Sequence, residues 1–153
     1  MLLSKACIYG VRASLYMSLV YQKDRYISIR EMSEKLNISF HFLTKILQQI
    51  THAGLMHSYK GPNGGINLSK DPNEITIIKI VDAIDGMAVF TECVIGLPGC
   101  GRNKPCPLHE KWAVARQELQ DMFENTTLHE MAISSKKLNL RLSDELSIEE
   151  LMI

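Results

Sequence analysis

Three cysteines and one histidine fall within seventeen residues of this 153-residue chain, in the segment CVIGLPGCGRNKPCPLHEKW. The cysteines are Cys93, Cys100 and Cys106, and glycines and prolines in the spacers between them would let the backbone wrap a bulky group. Zinc sites more often use cysteine pairs that lie two to four residues apart. The wider spacing therefore favours an iron–sulfur cluster with thiolate ligands.

A cluster held by three thiolates needs a fourth ligand. His109 follows Cys106 by three residues, which places both residues on one face of the first turn of a predicted helix. An imidazole in place of a thiolate raises the reduction potential of a cluster, which suits a sensor. Other interpretations stay open: a polar helix-start residue for His109, and a disulfide, a thiol switch or a zinc site for the cysteines.

The composition is that of an ordinary globular domain, with 46% hydrophobic and 22% charged residues. Lys5 and Arg12 interrupt the N-terminal apolar run, which we therefore interpret as a helix of the domain and not as a signal peptide or membrane span. We expect a cytoplasmic protein with no membrane partner. In a reducing cytosol, clustered cysteines favour metal, cluster or redox roles over structural disulfides.

Charge divides the chain into two halves. Residues 1–70 carry nine lysines and arginines against three acidic residues, a net charge of +6. Residues 71–153 carry the other eight basic residues and fourteen acidic ones, a net charge of −6. A basic half in a chain whose total charge is zero indicates that this half meets a polyanion.

The basic half has the periodicity of three helices. Leu3, Cys7, Val11 and Leu15 recur every four residues and form one face of an N-terminal helix. A second helix is predicted after Ser28, a residue type favoured as an N-cap, and a short turn leads to a third helix in FHFLTKILQQITHAGL, with Gly54 as its C-terminal stop. Two short helices joined by a tight turn form the helix-turn-helix pattern.

A β-hairpin is predicted directly after the third helix. In LMHSYKGPNGGINLSK, Asn63–Gly64 is typical of a type I′ turn, and Ile66 and Leu68 alternate inward on the second strand. This order is the winged-helix arrangement, in which the third helix enters the major groove of DNA and the wing reaches the backbone. The predicted DNA-contacting residues are Ser39, His41, Thr44 and Lys45 on the helix and Lys60, Pro62 and Asn63 on the wing.

The acidic half contains an amphipathic helix that ends at Gly86 and, after the cysteines, a long helix. The apolar residues of the long helix follow heptad spacing, which predicts packing against a second copy of the chain: Leu108, Trp112, Ala115, Leu119 and Met122. Residues 133–153 show no core-facing pattern except a final turn capped by Ser147 with Glu150. We interpret them as a mobile or partner-dependent tail.

In this order, the motifs resemble the Rrf2 family of bacterial transcriptional regulators. The resemblance covers about residues 1–132 and rests on YGVRASLYM, ISFHFLTKILQQITHAGL, the wing YKGPNGGINL and the three cysteines before a long helix near Trp112. It implies a homodimeric repressor or activator whose binding to double-stranded promoter DNA responds to an iron–sulfur cluster, in redox, iron or nitric-oxide sensing. We favour a [2Fe–2S] cluster over a [4Fe–4S] cluster.

The resemblance also bears on the fourth ligand. His109 matches the position of the histidine ligand in the iron–sulfur assembly branch of the family. Other members take a carboxylate from the N-terminal helix, but the corresponding residue here is Ile8, which cannot bind a metal. Its neighbour Cys7 is the second candidate, and a small core residue between Leu3 and Val11 is the simpler interpretation of Cys7.

The sequence shows no arrangement typical of a catalytic site, so we expect a protein that is not an enzyme. We expect a mainly α-helical chain with a small β-hairpin: a winged helix over residues 1–86, a cluster-binding loop over 87–106, a dimerisation helix over 107–132 and a tail over 133–153. One alternative is a small iron–sulfur redox or electron-transfer protein, which leaves the basic helix and wing unexplained. The other is a cluster-free regulator with a thiol switch.

Overall fold

The computed structural model describes residues 1–101 and 103–153, which form eight α-helices, one short 3₁₀ turn and a two-stranded sheet. The elements follow in the order α1 (Lys5–Leu19), α2 (Ile29–Leu36), α3 (Phe40–His52), β1 (Met56–Tyr59), β2 (Gly65–Leu68), α4 (Ile77–Ile84), α5 (Ala88–Thr91), α6 (His109–Asn125), α7 (Leu128–Leu138) and α8 (Ile148–Met152). The predicted fold class, mainly α with a small β-hairpin, is confirmed.

The helix-turn-helix forms where the sequence predicts it. The Ser28 hydroxyl caps α2 by accepting a hydrogen bond from the backbone N–H of Glu31, at 3.0 Å. Asn37 ends α2 in the left-handed conformation, with φ of 52°, and so turns the chain sharply into α3. The apolar stripe of α3 is then fully buried in the core, through Leu43, Ile46, Leu47 and Ile50.

The wing is an antiparallel hairpin in which Met56 lies opposite Leu68 and Tyr59 lies opposite Gly65. The hairpin prediction is confirmed, but the predicted turn type is wrong, because neither residue of Asn63–Gly64 has positive φ. Five residues separate the strands, so the geometry of a two-residue turn does not apply. The loop closes instead through a 2.9 Å hydrogen bond from the N–H of Gly64 to the carbonyl of Gly61.

A buried asparagine fixes the wing to the loop between α1 and α2. The side-chain amide of Asn67 donates to the carbonyls of Gln22 and Lys23, at 3.1 and 3.0 Å. Ile27 in the same connection pairs with Ile66 through two backbone hydrogen bonds of 2.8 and 2.9 Å. Since a buried amide is stable only when its hydrogen bonds are satisfied, Asn67 determines where the wing stands relative to the helices.

Within the acidic half, a short backbone bridge joins the start of α4 to the connection between α6 and α7. The N–H of Ile77 donates to the carbonyl of Thr126, and the N–H of Leu128 donates to the carbonyl of Ile75, at 3.0 and 2.9 Å. Helix α7 then packs against α1 and buries Leu128 completely. The start of α4 and the end of α6 are therefore held together at one point.

The C-terminal tail differs from the expectation of a mobile segment. Leu142, Ile148 and Leu151 are buried, and α8 packs against α7. The predicted cap is confirmed, because Ser147 and Glu150 form a reciprocal capping box at the start of α8. The sequence conceals this packing because the buried residues are spread over a loop and a five-residue helix, too short for a periodic pattern.

Candidate metal centre and nucleic-acid interface

The cysteines lie on the connection between α5 and α6, and His109 is the first residue of α6. Gly101 in this connection has φ of 72°, a conformation that favours glycine. A Cβ at position 101 would collide with the imidazole of His109. The loop backbone therefore lies directly against the histidine ring, which an ordinary side chain at this position would displace.

The structure brings the four predicted ligands together as two pairs. The sulfur atoms of Cys93 and Cys106 lie 3.7 Å apart. The sulfur of Cys100 lies 3.6 Å from Nδ1 of His109. All three cysteines are free thiols and are half-buried, so their sulfur atoms are accessible to an incoming metal.

These separations match those of ligands that share one metal. At a tetrahedral metal with metal–sulfur bonds of about 2.3 Å, two thiolates lie ~3.8 Å apart. A thiolate and an imidazole nitrogen at the same kind of centre lie ~3.6 Å apart. Within residues 1–101 and 103–153, no group of three or more donor residues surrounds a single point. The donor set fits an iron–sulfur group as two pairs of ligands.

The environment of Cys93 favours its thiolate. The backbone N–H groups of Ile95 and Leu97, followed by the neighbouring Cys106 thiol and the N–H of Gly96, lower the pKa of Cys93 below its usual value. Hydrogen bonds from donors stabilise the charged form of a sulfur ligand. A thiolate is also the form of cysteine that binds a metal.

Cys7 lies in a different environment from the loop cysteines. It is fully buried in α1, and burial, followed by the neighbouring Asp85 carboxylate, raises the pKa of its thiol to about 12. Asp85 also accepts a 2.8 Å hydrogen bond from the N–H of Ser4, the residue that caps α1. In this arrangement Cys7 is a neutral core residue at neutral pH, beside the first turn of the domain.

The predicted DNA-contacting side of α3 is largely open to solvent. Ser39, His41 and Lys45 are exposed, whereas Thr44 is half-buried and donates its hydroxyl to the carbonyl of Phe40, at 2.8 Å. Gln48 is exposed one turn after Lys45, a position that the sequence analysis missed although its spacing continues the polar stripe. Helix α3 thus presents a polar and basic surface along its length.

The wing residues Lys60, Pro62 and Asn63 are also exposed. Beside them, Tyr59 is 58% exposed and its ring packs at 5.5 Å from that of Tyr26. An exposed aromatic ring next to a lysine is not explained by burial, and it adds to the surface that can approach a nucleic-acid backbone. Sequence alternation alone did not identify Tyr59.

Arg30 at the start of α2 is a basic residue beside α3 that the sequence analysis did not single out. Its guanidinium lies over the ring of Phe40, with 5.2 Å between the guanidinium carbon and the ring centroid. The contact is consistent with a cation–π interaction at the beginning of α3. Its position could not be read from periodicity, because it depends on the angle between α2 and α3.

The predicted seam of α6 divides into two groups. Leu108, Ala115 and Met122 are exposed, whereas Leu119 is partly buried against the core of its own protomer. Trp112 is half-buried, and its indole N–H donates to the carbonyl of Glu92 at 2.9 Å. One side of α6 therefore packs on the rest of the same chain, and the side with Leu108, Ala115 and Met122 is uncovered.

Known proteins are similar to this chain in sequence and in architecture. The chain is 29% identical over 132 residues to the HTH-type transcriptional regulator IscR of Pectobacterium carotovorum subsp. carotovorum (strain PC1), covering 86% of this chain and 79% of that protein. The structure is similar to that of CymR, the global cysteine regulator of B. subtilis, with a TM-score of 0.74 and 23% identity over 86% of this chain and 96% of the other. It is also similar to T. potens IscR, with a TM-score of 0.70 and 19% identity over 91% of both chains.

Two further findings complete the comparison. None of the helices in the described part of the chain has the length and apolar character needed to cross a membrane. Residues 3–133 match the family described as Rrf2, iron-dependent transcriptional regulator, which is most of the chain. The chain therefore belongs to the Rrf2 family of DNA-binding transcriptional regulators and is not an enzyme.

Proposed function

We propose that the protein is a homodimeric transcriptional regulator whose operator binding is controlled by an iron–sulfur cluster. Cys93, Cys100 and Cys106 would hold the cluster, with His109 as the fourth ligand. The observation that carries the proposal is the arrangement of these residues as two pairs at 3.7 and 3.6 Å. Membership of a family described as iron-dependent supports it.

The pairing supports a [2Fe–2S] cluster. In such a cluster each iron takes two protein ligands, which lie at the separation expected for one tetrahedral metal. In a [4Fe–4S] cluster each iron takes one protein ligand, so the ligands are farther apart. Cys93 with Cys106, and Cys100 with His109, supply the two pairs that the smaller cluster needs.

The residues of the loop have separable tasks in this proposal. Three thiolates would bind the cluster. The imidazole at the start of α6 places the fourth ligand on the helix whose other side, with Ala115 and Met122, is uncovered. When bound, the cluster supplies a centre that changes its charge or is lost in response to redox state, iron supply or nitric oxide. A rearrangement of the cysteine loop would then have to be transmitted along α6 to the DNA-binding region.

The DNA-binding part of the proposal rests on α3 and the wing. His41, Lys45 and Gln48 lie along α3, and Lys60 lies at the tip of the wing, all exposed. Lysines on such surfaces bind phosphates, whereas polar side chains on a recognition helix read base edges. The rigid connection through Asn67 keeps the two contact regions at a fixed separation.

Homodimerisation is supported by the surface of α6. None of the seventeen residues of α6, all of which the structure describes, is fully buried. Met122 is 55% exposed and lines an apolar groove of about 410 Å³ beside Leu3, which precedes α1, and Ile8 and Val11 of α1. An amphipathic helix of this length normally covers its apolar side, and a second copy would do so while providing two DNA-reading units for a two-fold operator.

Operator binding by loaded and metal-stripped protein tests the proposal. In gel-shift titrations against fragments of candidate promoters, the two forms should differ at least tenfold in affinity for an operator. The Cys93→Ser variant should bind like the stripped form, since serine is a poor ligand for iron–sulfide. Equal affinity of loaded, stripped and Cys93→Ser protein for the same operator would show that the cysteine loop does not control DNA binding.

A cluster-free thiol switch is the second candidate, because Cys93 and Cys106 lie close together and the pKa of Cys93 is lowered. Oxidation of these two thiols to a disulfide would transfer two electrons, with release of two protons, to an oxidant such as a peroxide. Under this alternative, metal-free protein would lose or gain operator affinity on peroxide treatment, and dithiothreitol would reverse the change.

A further inference from the structure

Two side chains of α6 reach back to the cysteine loop. The indole N–H of Trp112 donates to the carbonyl of Glu92 at 2.9 Å, and the guanidinium of Arg116 donates to the same carbonyl at 3.3 Å. The guanidinium also donates to the sulfur of Cys100, at 3.1 Å. Since Trp112 and Arg116 are one helical turn apart, both contacts come from one face of α6.

These contacts hold the loop at two places. Glu92 directly precedes Cys93, so its carbonyl fixes the point where the ligand loop begins, and the contact with Cys100 fixes the middle. The apolar side chains between these points, Val94, Ile95 and Leu97, are about half exposed and do not anchor the loop in the core. The position of Cys100 therefore depends on Arg116 more than on hydrophobic packing.

The guanidinium has no competing carboxylate partner nearby. Across residues 1–101 and 103–153, the structure forms one ion pair within 4 Å, between Arg12 and Asp144. Arg116 instead directs its charge at a sulfur and a carbonyl, and it is half-buried. A charge-assisted hydrogen bond to a thiolate is stronger than one between neutral groups, and Arg presents its donors in a fixed planar fork.

We propose that Arg116 is a positioning residue for Cys100: it orients the sulfur for ligation, stabilises negative charge on the bound cluster and ties the ligand loop to α6. The inference rests on the proposed function for the cluster, but the tie between loop and helix exists without it. Hydrogen bonds to ligand sulfurs and nearby positive charge both raise the reduction potential of an iron–sulfur cluster. Arg116 is thus also the contact through which a change in the loop reaches α6.

The test compares three variants. Arg116→Met keeps an unbranched stem but removes the guanidinium with its charge and every donor, whereas Arg116→Lys keeps the charge and one donor group. Trp112→Phe is the matched control, because it removes the other hydrogen bond to Glu92 and leaves the contact with Cys100 in place. The thermal midpoint of each metal-free variant establishes that it is folded.

The first measurement is a spectroscopic redox titration of the loaded proteins. Arg116→Met should disfavour reduction about tenfold, which is a fall of about 59 mV for a one-electron couple. Arg116→Lys should recover part of that shift, and Trp112→Phe should stay at the wild-type potential. A wild-type potential in Arg116→Met would overturn the role of Arg116 in tuning the cluster.

The second measurement is amide hydrogen exchange of the metal-free proteins. Arg116→Met should accelerate exchange several-fold at residues 93–101, with no change in α2 and α3, because the loop loses its tie to α6. Unchanged exchange in these amides would overturn the positioning role. If wild-type protein never binds iron, the proposed function fails, yet this second measurement still decides whether Arg116 holds the loop.

Discussion

The DNA-binding half and the cysteine half of this chain are built differently. In the first, α1, α2, α3 and the wing bury a continuous core, the connections are capped, and Asn67 satisfies its hydrogen bonds inside the protein. In the second, three half-buried thiols lie on a loop without regular structure, and α6 has an uncovered apolar side. The first half is tightly packed, whereas the second presents partly exposed thiols and an uncovered apolar side of α6.

This contrast indicates how a sensor can act on a DNA reader. A region that depends on a bound group and a partner can change its arrangement with small free energies, while a well-packed region keeps its shape. Helix α4, which packs against α1, is joined to the end of α6 where the N–H of Ile77 donates to the carbonyl of Thr126, at 3.0 Å. We expect changes in α6 to reposition the two DNA-binding units of a dimer without altering the fold of either unit.

The largest expected effect is on the free energy of unfolding, measured for one truncated side chain in each half. Leu47 is fully buried in α3, so Leu47→Ala should lower the free energy of unfolding by about 3 kcal/mol. Leu97 in the cysteine loop is 51% exposed, and Leu97→Ala should change the free energy of unfolding by less than about 0.5 kcal/mol. Urea denaturation of metal-free protein measures both, and similar losses would contradict the difference between the halves.

The next effect concerns the uncovered side of α6. Met122→Lys should weaken dimerisation at least about tenfold, or 1.4 kcal/mol, because a charge would be buried in the seam. Val114→Lys is the matched control, since Val114 is exposed elsewhere on the same helix. Equilibrium sedimentation measures the dissociation constants, and a wild type that is monomeric at micromolar concentration would contradict the proposed dimer.

A smaller effect is expected for DNA binding. Lys60→Ala on the wing should weaken operator binding and reduce the slope of log K against log salt by about 0.9, the value for one phosphate contact. Lys137→Ala is the control, because Lys137 is an exposed lysine on α7 in the acidic half. Identical slopes for wild type and Lys60→Ala would remove the wing from the proposed interface.

The last of these predictions concerns the buried thiol of the first half. The folded-state pKa of Cys7 is raised to about 12 from an ordinary value of 9.0, so the neutral thiol is favoured by folding. Its contribution is fully present below pH 9 and is lost as the pH rises from about 9 towards 12. Wild type should therefore lose more stability than Cys7→Ala over this range in urea denaturation, and parallel pH profiles would contradict this environment for Cys7.

The sequence predicted the elements of the DNA-binding half well because local signals specify them. Helical periodicity, the Ser28 cap and the glycine-rich wing each depend on neighbouring residues. The candidate ligands were likewise identified from their types and spacing. The roles of Asn67 and Arg116 could not be predicted, because each contacts a segment distant in the chain whose approach only the fold defines.

We propose that Cys93, Cys100, Cys106 and His109 hold a [2Fe–2S] cluster. The most direct test is Mössbauer spectroscopy, with iron, sulfide and zinc analysis, of anaerobically purified wild type, His109→Ala and Cys7→Ala. We expect two irons and two sulfides per chain in wild type, an altered signal for one iron in His109→Ala and an unchanged spectrum in Cys7→Ala. Stoichiometric zinc without iron, or an unaltered His109→Ala together with cluster loss in Cys7→Ala, would contradict this proposal.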